Sequence, residues 1–168
     1  MATKKFETLD GIDSRGDVTI SGNVVVNSNT LFVDTSNGRI GINTDNPLRV
    51  LDINGTALAN AFNPGLETVS PAANVDLDFT QHSNYEITLD QNVQFTFTID
   101  SECRGQTGMI IIHQDGAGGR TFSLPSEAKT PVSGASIVQQ TDSNTTSTIN
   151  YFIVDVNTVL VNYIGDFQ

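Results

Sequence analysis

Tryptophan is missing from this chain, cysteine occurs once, and lysine and arginine together number eight against nineteen acidic residues. Each scarcity excludes something. A single cysteine, Cys103, rules out an internal disulfide and a thiolate metal cluster. Nothing around it carries the signature of a reactive thiol, so it reads as a strand-end or turn residue. A net charge of -11 with a pI of about 4.2 makes nucleic acid an unsuitable partner, because phosphate binding needs clustered Lys and Arg. No apolar run approaches the ~20 residues of a membrane span, so no membrane insertion is expected. The start, Met-Ala-Thr-Lys-Lys-Phe-Glu, lacks the apolar segment of a secretory signal. The expectation is a soluble protein made in a cytoplasm.

Apolar residues make up 38% of the chain, below the roughly 45–50% usual for globular proteins. Charged residues reach only 16%. Asn, Thr, Ser, Gln and Gly fill the difference. Val, Ile and Thr are plentiful, with nine Phe and three Tyr, a composition suited to pleated, half-buried surfaces and unlike charge-driven disorder. The charge is uneven. Residues 1–61 hold five basic and seven acidic residues, whereas residues 62–168 hold three and twelve.

The period along the chain is two nearly everywhere. The best helix candidate, residues 56–62, is too short to stand alone. Residues 17–56 read as strands of three to five residues: Val18 and Ile20, Val24 to Val26, Leu31 to Val33, Ile40 and Ile42, and Val50 to Ile53. Asn37-Gly38 and Asn54-Gly55 between them suit type I′ turns, in which both residues take positive φ. Arg15-Gly16-Asp17 reads as a turn before a strand. Strands this short cannot bury enough area to stabilise themselves, so their apolar faces must meet something else, most simply a copy of the chain.

Residues 60–74 contain Pro64, Gly65 and Pro71 and read as a connector. Beyond them the alternation sharpens. Val75, Leu77 and Phe79, then Tyr85, Ile87 and Leu89, then Val93, Phe95, Phe97 and Ile99 each define a one-sided strand. The continuous run 108–114, GMIIIHQ, predicts a strand buried on both sides. Segments 120–124, 136–140, 148–156 and 158–164 complete about eight strands, with Asn157 marking a tight turn. This spacing predicts an antiparallel β-sandwich, jelly-roll-like, over residues 75–168.

No pattern carries chemistry. His82 and His113 stand far apart, without Cys or carboxylates at metal-ligand spacing. Residues 115–120, DGAGGR, lack both the strand-to-helix context of a dinucleotide loop and the spaced carboxylates of a calcium loop, and read as a hairpin loop. Asp76 and Asp78 share one strand face about 7 Å apart, whereas a retaining glycosidase pair sits about 5–5.5 Å apart across a cleft. No residue takes a catalytic, cofactor-binding or metal-binding role, and no enzyme activity or cofactor is expected.

Two segments nevertheless resemble known proteins. Asn37-Gly38-Arg39-Ile40-Gly41-Ile42-Asn43-Thr44, then Asn46-Pro47, then Leu51-Asp52-Ile53-Asn54-Gly55, resembles a motif of tailed-bacteriophage fibre proteins. Asn43 stands where Gly is usual, and Asn tolerates positive φ. Residues 91–99, 105–129 and 154–167 are similar to a second phage-fibre element, with Leu124-Pro125 where Trp-Pro is common. The resemblance implies a homotrimer. Residues 1–60 would form an attachment and trimerising stem, with Val24, Val26, Ile40, Ile42 and Ile53 facing the other copies. Residues 61–74 would connect it to a head, 75–168. The expected function is a virion structural protein, a short trimeric tail fibre attaching to the host surface, assembled in the host cytoplasm. Its partners would be other virion proteins and a host-surface glycan. The alternative is a capsid decoration or tail adaptor without receptor binding. The polar loops 115–119 and 141–147 are the expected contact tips, through Asp115, Ala117, Asp142 and Asn144.

Overall fold

The computed structural model describes residues 22–26, 30–131 and 137–167, and the chain divides into two compact units, Met1–Asn60 and Ala61–Gln168. The expected strand at Val18 and Ile20 and the turn at Arg15-Gly16-Asp17 lie outside the described residues. The chain is all-β, as its patterning predicts. Among the described residues one three-residue 3-10 turn, Ser101–Cys103, is the sole helical element. Cys103 is buried in that turn, its Sγ donating to Asp100 Oδ1 at 3.2 Å.

The first unit holds β1 (Val24–Val26), β2 (Leu31–Asp34), β3 (Arg39–Ile42) and β4 (Leu51–Ile53) in that order in one sheet. β1, β2 and β3 run antiparallel, and β4 runs parallel to β3. Neither Asn-Gly pair forms the expected type I′ turn. In the first, only Gly38 has positive φ (64°), and the β2–β3 loop spans 35–38. Asp34 organises it: Oδ1 accepts from the Ser36 and Asn37 amides at 3.0 and 3.2 Å. In the second, neither residue has positive φ, because β4 ends there instead of turning back.

The parallel β3–β4 pair requires a crossover, residues 43–50, and it packs tightly on one sheet face. A Cβ on Gly41 would meet Thr44 O at 2.2 Å, so only glycine fits beneath it. Arg39 Nη1 donates to Pro47 O at 2.8 Å, and Leu48 N donates to Asp52 Oδ2 at 2.9 Å. Asn43 enters the crossover with φ of 57°, taking the left-handed conformation for which glycine is usual.

The second unit holds two sheets. The six-stranded one runs β11 (Ala128–Lys129), β13 (Thr158–Phe167), β12 (Thr146–Asp155), β9 (Thr107–Gln114), β7 (Asn84–Leu89), β5 (Glu67–Val69). The three-stranded one runs β10 (Phe122–Ser123), β8 (Val93–Thr98), β6 (Asn74–Asp78). Strand β5 lies inside the segment read as a connector. The pairing also differs from the antiparallel expectation. β5, β7 and β9 are parallel in one sheet, and β6, β8 and β10 are parallel in the other. Each connection arches from one sheet to the other, so the chain coils instead of folding back beside itself. Only β12 pairs antiparallel, with β9 and with β13, and β11 then adds parallel to β13.

The core lies between the two sheets, where the alternating residues meet. Leu77, Phe79, Ile87, Leu89, Phe95, Ile110, Ile149, Ile153 and Val159 are all fully buried. Complete burial of such a side chain is worth about 1.5–3 kcal/mol. Phe79 is the aromatic hub, with ring centroids 4.6 Å from Tyr151, 5.1 Å from Phe97 and 5.7 Å from Tyr85. Phe122 links Phe95 to Tyr163 at 5.9 Å each.

Two further expectations change. In 108–114, Ile110 and Ile112 are buried, but Met109 and Ile111 lie on the opposite face, which the described residues of this unit leave partly open. Residues 137–140 are not a strand. The Gln139 side chain does a strand's work there: its Oε1 accepts from Phe122 N at 2.8 Å and its Nε2 donates to Phe122 O at 2.6 Å.

Candidate functional site

The two loops expected as contact tips come together. Loop 115–121 carries the chain from β9 to β10, and loop 141–145 leads into β12. Gly119 N donates to Thr141 O at 2.7 Å, Asn144 N donates to Asp115 O at 3.1 Å, and Gln114 N donates to Thr145 O at 2.9 Å. The loops therefore act as one surface.

Gly118 makes the close approach possible. Its φ is +65°, and a Cβ there would lie 2.7 Å from both Ser143 N and Thr141 O. Asn144 also adopts positive φ, at 60°. Beneath them, the buried Gln114 amide fastens the loop stem. Its Nε2 donates to Arg120 O at 2.8 Å, and its Oε1 accepts from Arg120 N at 3.0 Å. The Tyr163 hydroxyl donates to Ser147 Oγ at 2.8 Å and accepts from Gln140 N at 2.7 Å, holding the base of the second loop.

The four expected contact residues divide into two roles. Ala117, Asp142 and Asn144 are exposed. Asp115 is instead turned inward to organise its own loop. Its Oδ1 accepts from Gly118 N at 2.8 Å and Ala117 N at 3.0 Å, and its Oδ2 lies 3.5 Å from Arg120 Nη2. Those bonds, the Gly118 amide foremost, hold its carboxyl below the ordinary 3.8. Composition missed Gln114, Gly118 and Arg120, although Asp followed by small residues and glycines signals such a side-chain-capped turn.

A carboxyl with a depressed folded pKa contributes its stabilisation above the unfolded value and loses it as pH falls through the folded value. Asp115→Asn is therefore expected to speed amide exchange at Ala117, Gly118 and Asn144 at neutral pH. It should also remove most of the acid-induced rise in exchange expected of the native loop below the ordinary carboxylate range. Equal exchange in both proteins at pH 7 would disprove the anchoring role.

The five expected interface residues also share a location. The sheet register puts Val24, Val26, Ile40, Ile42 and Ile53 on one face, with Leu31, Val33 and Leu51. All eight are aliphatic, and none is buried. Val26, Ile40 and Leu51 are 46%, 39% and 56% exposed. The crossover packs on the other face, over β3 and β4, and among the described residues this face is left open.

The histidines and acidic pairs take structural positions. His113 Nδ1 lies 2.8 Å from Thr146 Oγ1, and its Nε2 lies 3.0 Å from Glu86 Oε1. Asp76 accepts from Thr96 and Thr98 hydroxyls at 2.8 Å each. Among the described residues no group of His, Cys, Asp and Glu has the arrangement of a metal site. What the paired loops offer is a rigid polar rim.

Residues 69–156, slightly more than half of the chain, match the model of a protein family described as "Putative phage tail fibre C-terminal domain". The matched span runs from the end of β5 beyond β12 and includes both loops. No curated protein matches the chain.

Proposed function

The chain belongs to the phage tail fibre C-terminal domain family, and from that premise we propose a short homotrimeric tail fibre that attaches the virion to its host. At the coarser level it is a phage tail fibre-like structural protein, a component of the virion. Among the described residues no helix is long and apolar enough to cross a membrane.

One observation carries the trimeric reading: the open face of eight aliphatic residues in the N-terminal sheet. Two other copies would cover it, and closure about one axis would leave no sticky sheet surface. The rim formed by Ala117, Asp142 and Asn144 would meet the host, with a surface glycan as the ligand class. Three rims on one particle would turn weak single contacts into firm attachment. The mechanism is adhesion, not reaction.

The test begins with the native mass at low micromolar protein. A stable mass near three times 18.0 kDa is expected. Binding of the fluorescently labelled trimer to host cells should then fall on replacing Asn144 and Asp142 together by Ala. A monomer would overturn the trimeric reading. A trimer that ignores host cells but joins virions lacking it would replace attachment with a tail-adaptor or capsid-decoration role.

A further inference from the structure

We infer that the outer face of the six-stranded sheet is also buried between copies, facing the trimer axis; the inference rests on the trimeric reading. The two sheets of the C-terminal unit present opposite outer surfaces. On the three-stranded sheet the outward residues are polar, among them Asp76, Gln94, Thr96 and Thr98. On the six-stranded sheet the outward set includes Met109, Phe152, Leu160, Ile164 and Phe167, from 36% to 49% exposed, with Ile111 partly exposed between them. These five are all the exposed large apolar residues in described strands of this unit. A sandwich facing water on both sides has no use for this asymmetry.

Charge identifies the occupant. The chain carries nineteen acidic residues, and identical copies repel wherever those meet. Along the paired rows across β7, β9, β12 and β13 on this face the carboxylates are Glu86 in mid-sheet and Asp155 at the far end, opposite Thr158 beside the β12–β13 turn. Glu86 is tied within the sheet plane to His113 at 3.0 Å, and His113 to Thr146 at 2.8 Å. Where the rest of the surface would push a second copy away, this face would not. The face is also contoured. A groove of about 370 Å³ between residues 129–131 and the outer side of β12 and β13 is lined by Pro131, Phe152, Leu160, Asn150 and Asn162. It has room for an apolar side chain from a neighbour. The run 108–114 fits as well: its sequence has the character of a strand covered on both sides, and the described residues of this unit cover one.

Met109 is the built-in probe, the only methionine besides Met1. Peroxide oxidises exposed methionine to the sulfoxide, which peptide mass spectrometry reads directly. In the full-length trimer, Met109 should oxidise about tenfold or more slowly than in the urea-unfolded chain, because burial shields its sulfur. Leu160→Glu with Ile164→Glu should restore fast oxidation. Gln94→Arg, on the polar sheet, should change neither mass nor protection. A wild-type trimer whose Met109 reacts as in the unfolded chain overturns this inference and leaves the trimer standing. A wild-type monomer overturns both.

Discussion

Gly108→Ala lowers the melting temperature of the C-terminal unit by about 10 °C or more, the largest single-residue loss expected in this protein. Gly108 sits in β9 between two fixed groups. A Cβ there would lie 1.8 Å from Ser83 O and 2.6 Å from Tyr151 Oη. The first is backbone and cannot swing aside like a side chain. The second is a phenol that donates to that same Ser83 O at 2.7 Å and accepts from Gln106 Nε2 at 3.3 Å. A methyl would force the Ser83 strand end outward and strip the phenol of its acceptor. Overpacking costs about 1–3 kcal/mol and an orphaned buried hydroxyl about 1–3 more. Domains hold only about 5–15 kcal/mol in total. Tyr151 is also 5% exposed and packed against Phe79, so its displacement disturbs the aromatic hub. Circular dichroism on heating reads the loss, and an unchanged melting curve would refute it.

The same phenol supplies a second readout. Burial raises the Tyr151 hydroxyl from its ordinary 10.0 to about 12. A raised folded pKa means that the contribution to stability is complete below pH 10 and is lost as pH climbs toward 12. In Gly108→Ala, absorbance at alkaline pH should show one tyrosine ionising closer to its ordinary value.

On the proposed trimer, replacing Ile40 and Ile42 together by Glu should drop the native mass to that of a single 18.0 kDa chain. Both residues lie on the open aliphatic face. Covering the exposed half of such a side chain is worth about 1 kcal/mol. Repeated over eight positions on each of three copies, that gain is comparable with the roughly 4–15 kcal/mol that each of a trimer's two associations costs in lost freedom. Carboxylates at the same positions would have to be desolvated beside their own copies. Val25→Glu is the matched control. Val25 is 52% exposed but on the opposite face of the same sheet, so its mass should stay trimeric. Sedimentation at several micromolar distinguishes the outcomes. A double variant that remains trimeric places the contact elsewhere.

Alternation made the core of the C-terminal unit legible. Val75, Leu77, Tyr85, Ile87, Val93 and Phe95 are buried where the period-two pattern puts them. Strand direction was not legible, because side chains alternate identically in parallel and antiparallel strands. What separates the two is whether residues 79–83 and 90–92 turn within a sheet or cross between sheets, and short polar segments serve either purpose. The Asn-Gly pairs misled for a related reason. Asn-Gly permits a type I′ turn without requiring one, and Asp34 favoured a longer loop around Gly38. Gln139 escaped notice because a side-chain amide posing as a strand leaves no periodic trace. The contact loops were visible as polar and glycine-rich. Their union was not, since it depends on Gly118 passing so close to a segment more than twenty residues away that an added Cβ would lie 2.7 Å from it.

The coiled order of the strands has a consequence for synthesis. A ribosome delivers β5 through β10 in winding order, and each new strand can lie against the one two places before it. β9, however, stays bare along one edge until β12 arrives, over thirty residues later. The two-residue turn at Val156 and Asn157 then brings β13 almost at once, since a short loop closes at little entropic cost. A nascent chain halted before residue 146 therefore exposes an eight-residue strand edge rich in isoleucine, a template for pairing with other unfinished chains. The last hairpin is what seals the coil against them.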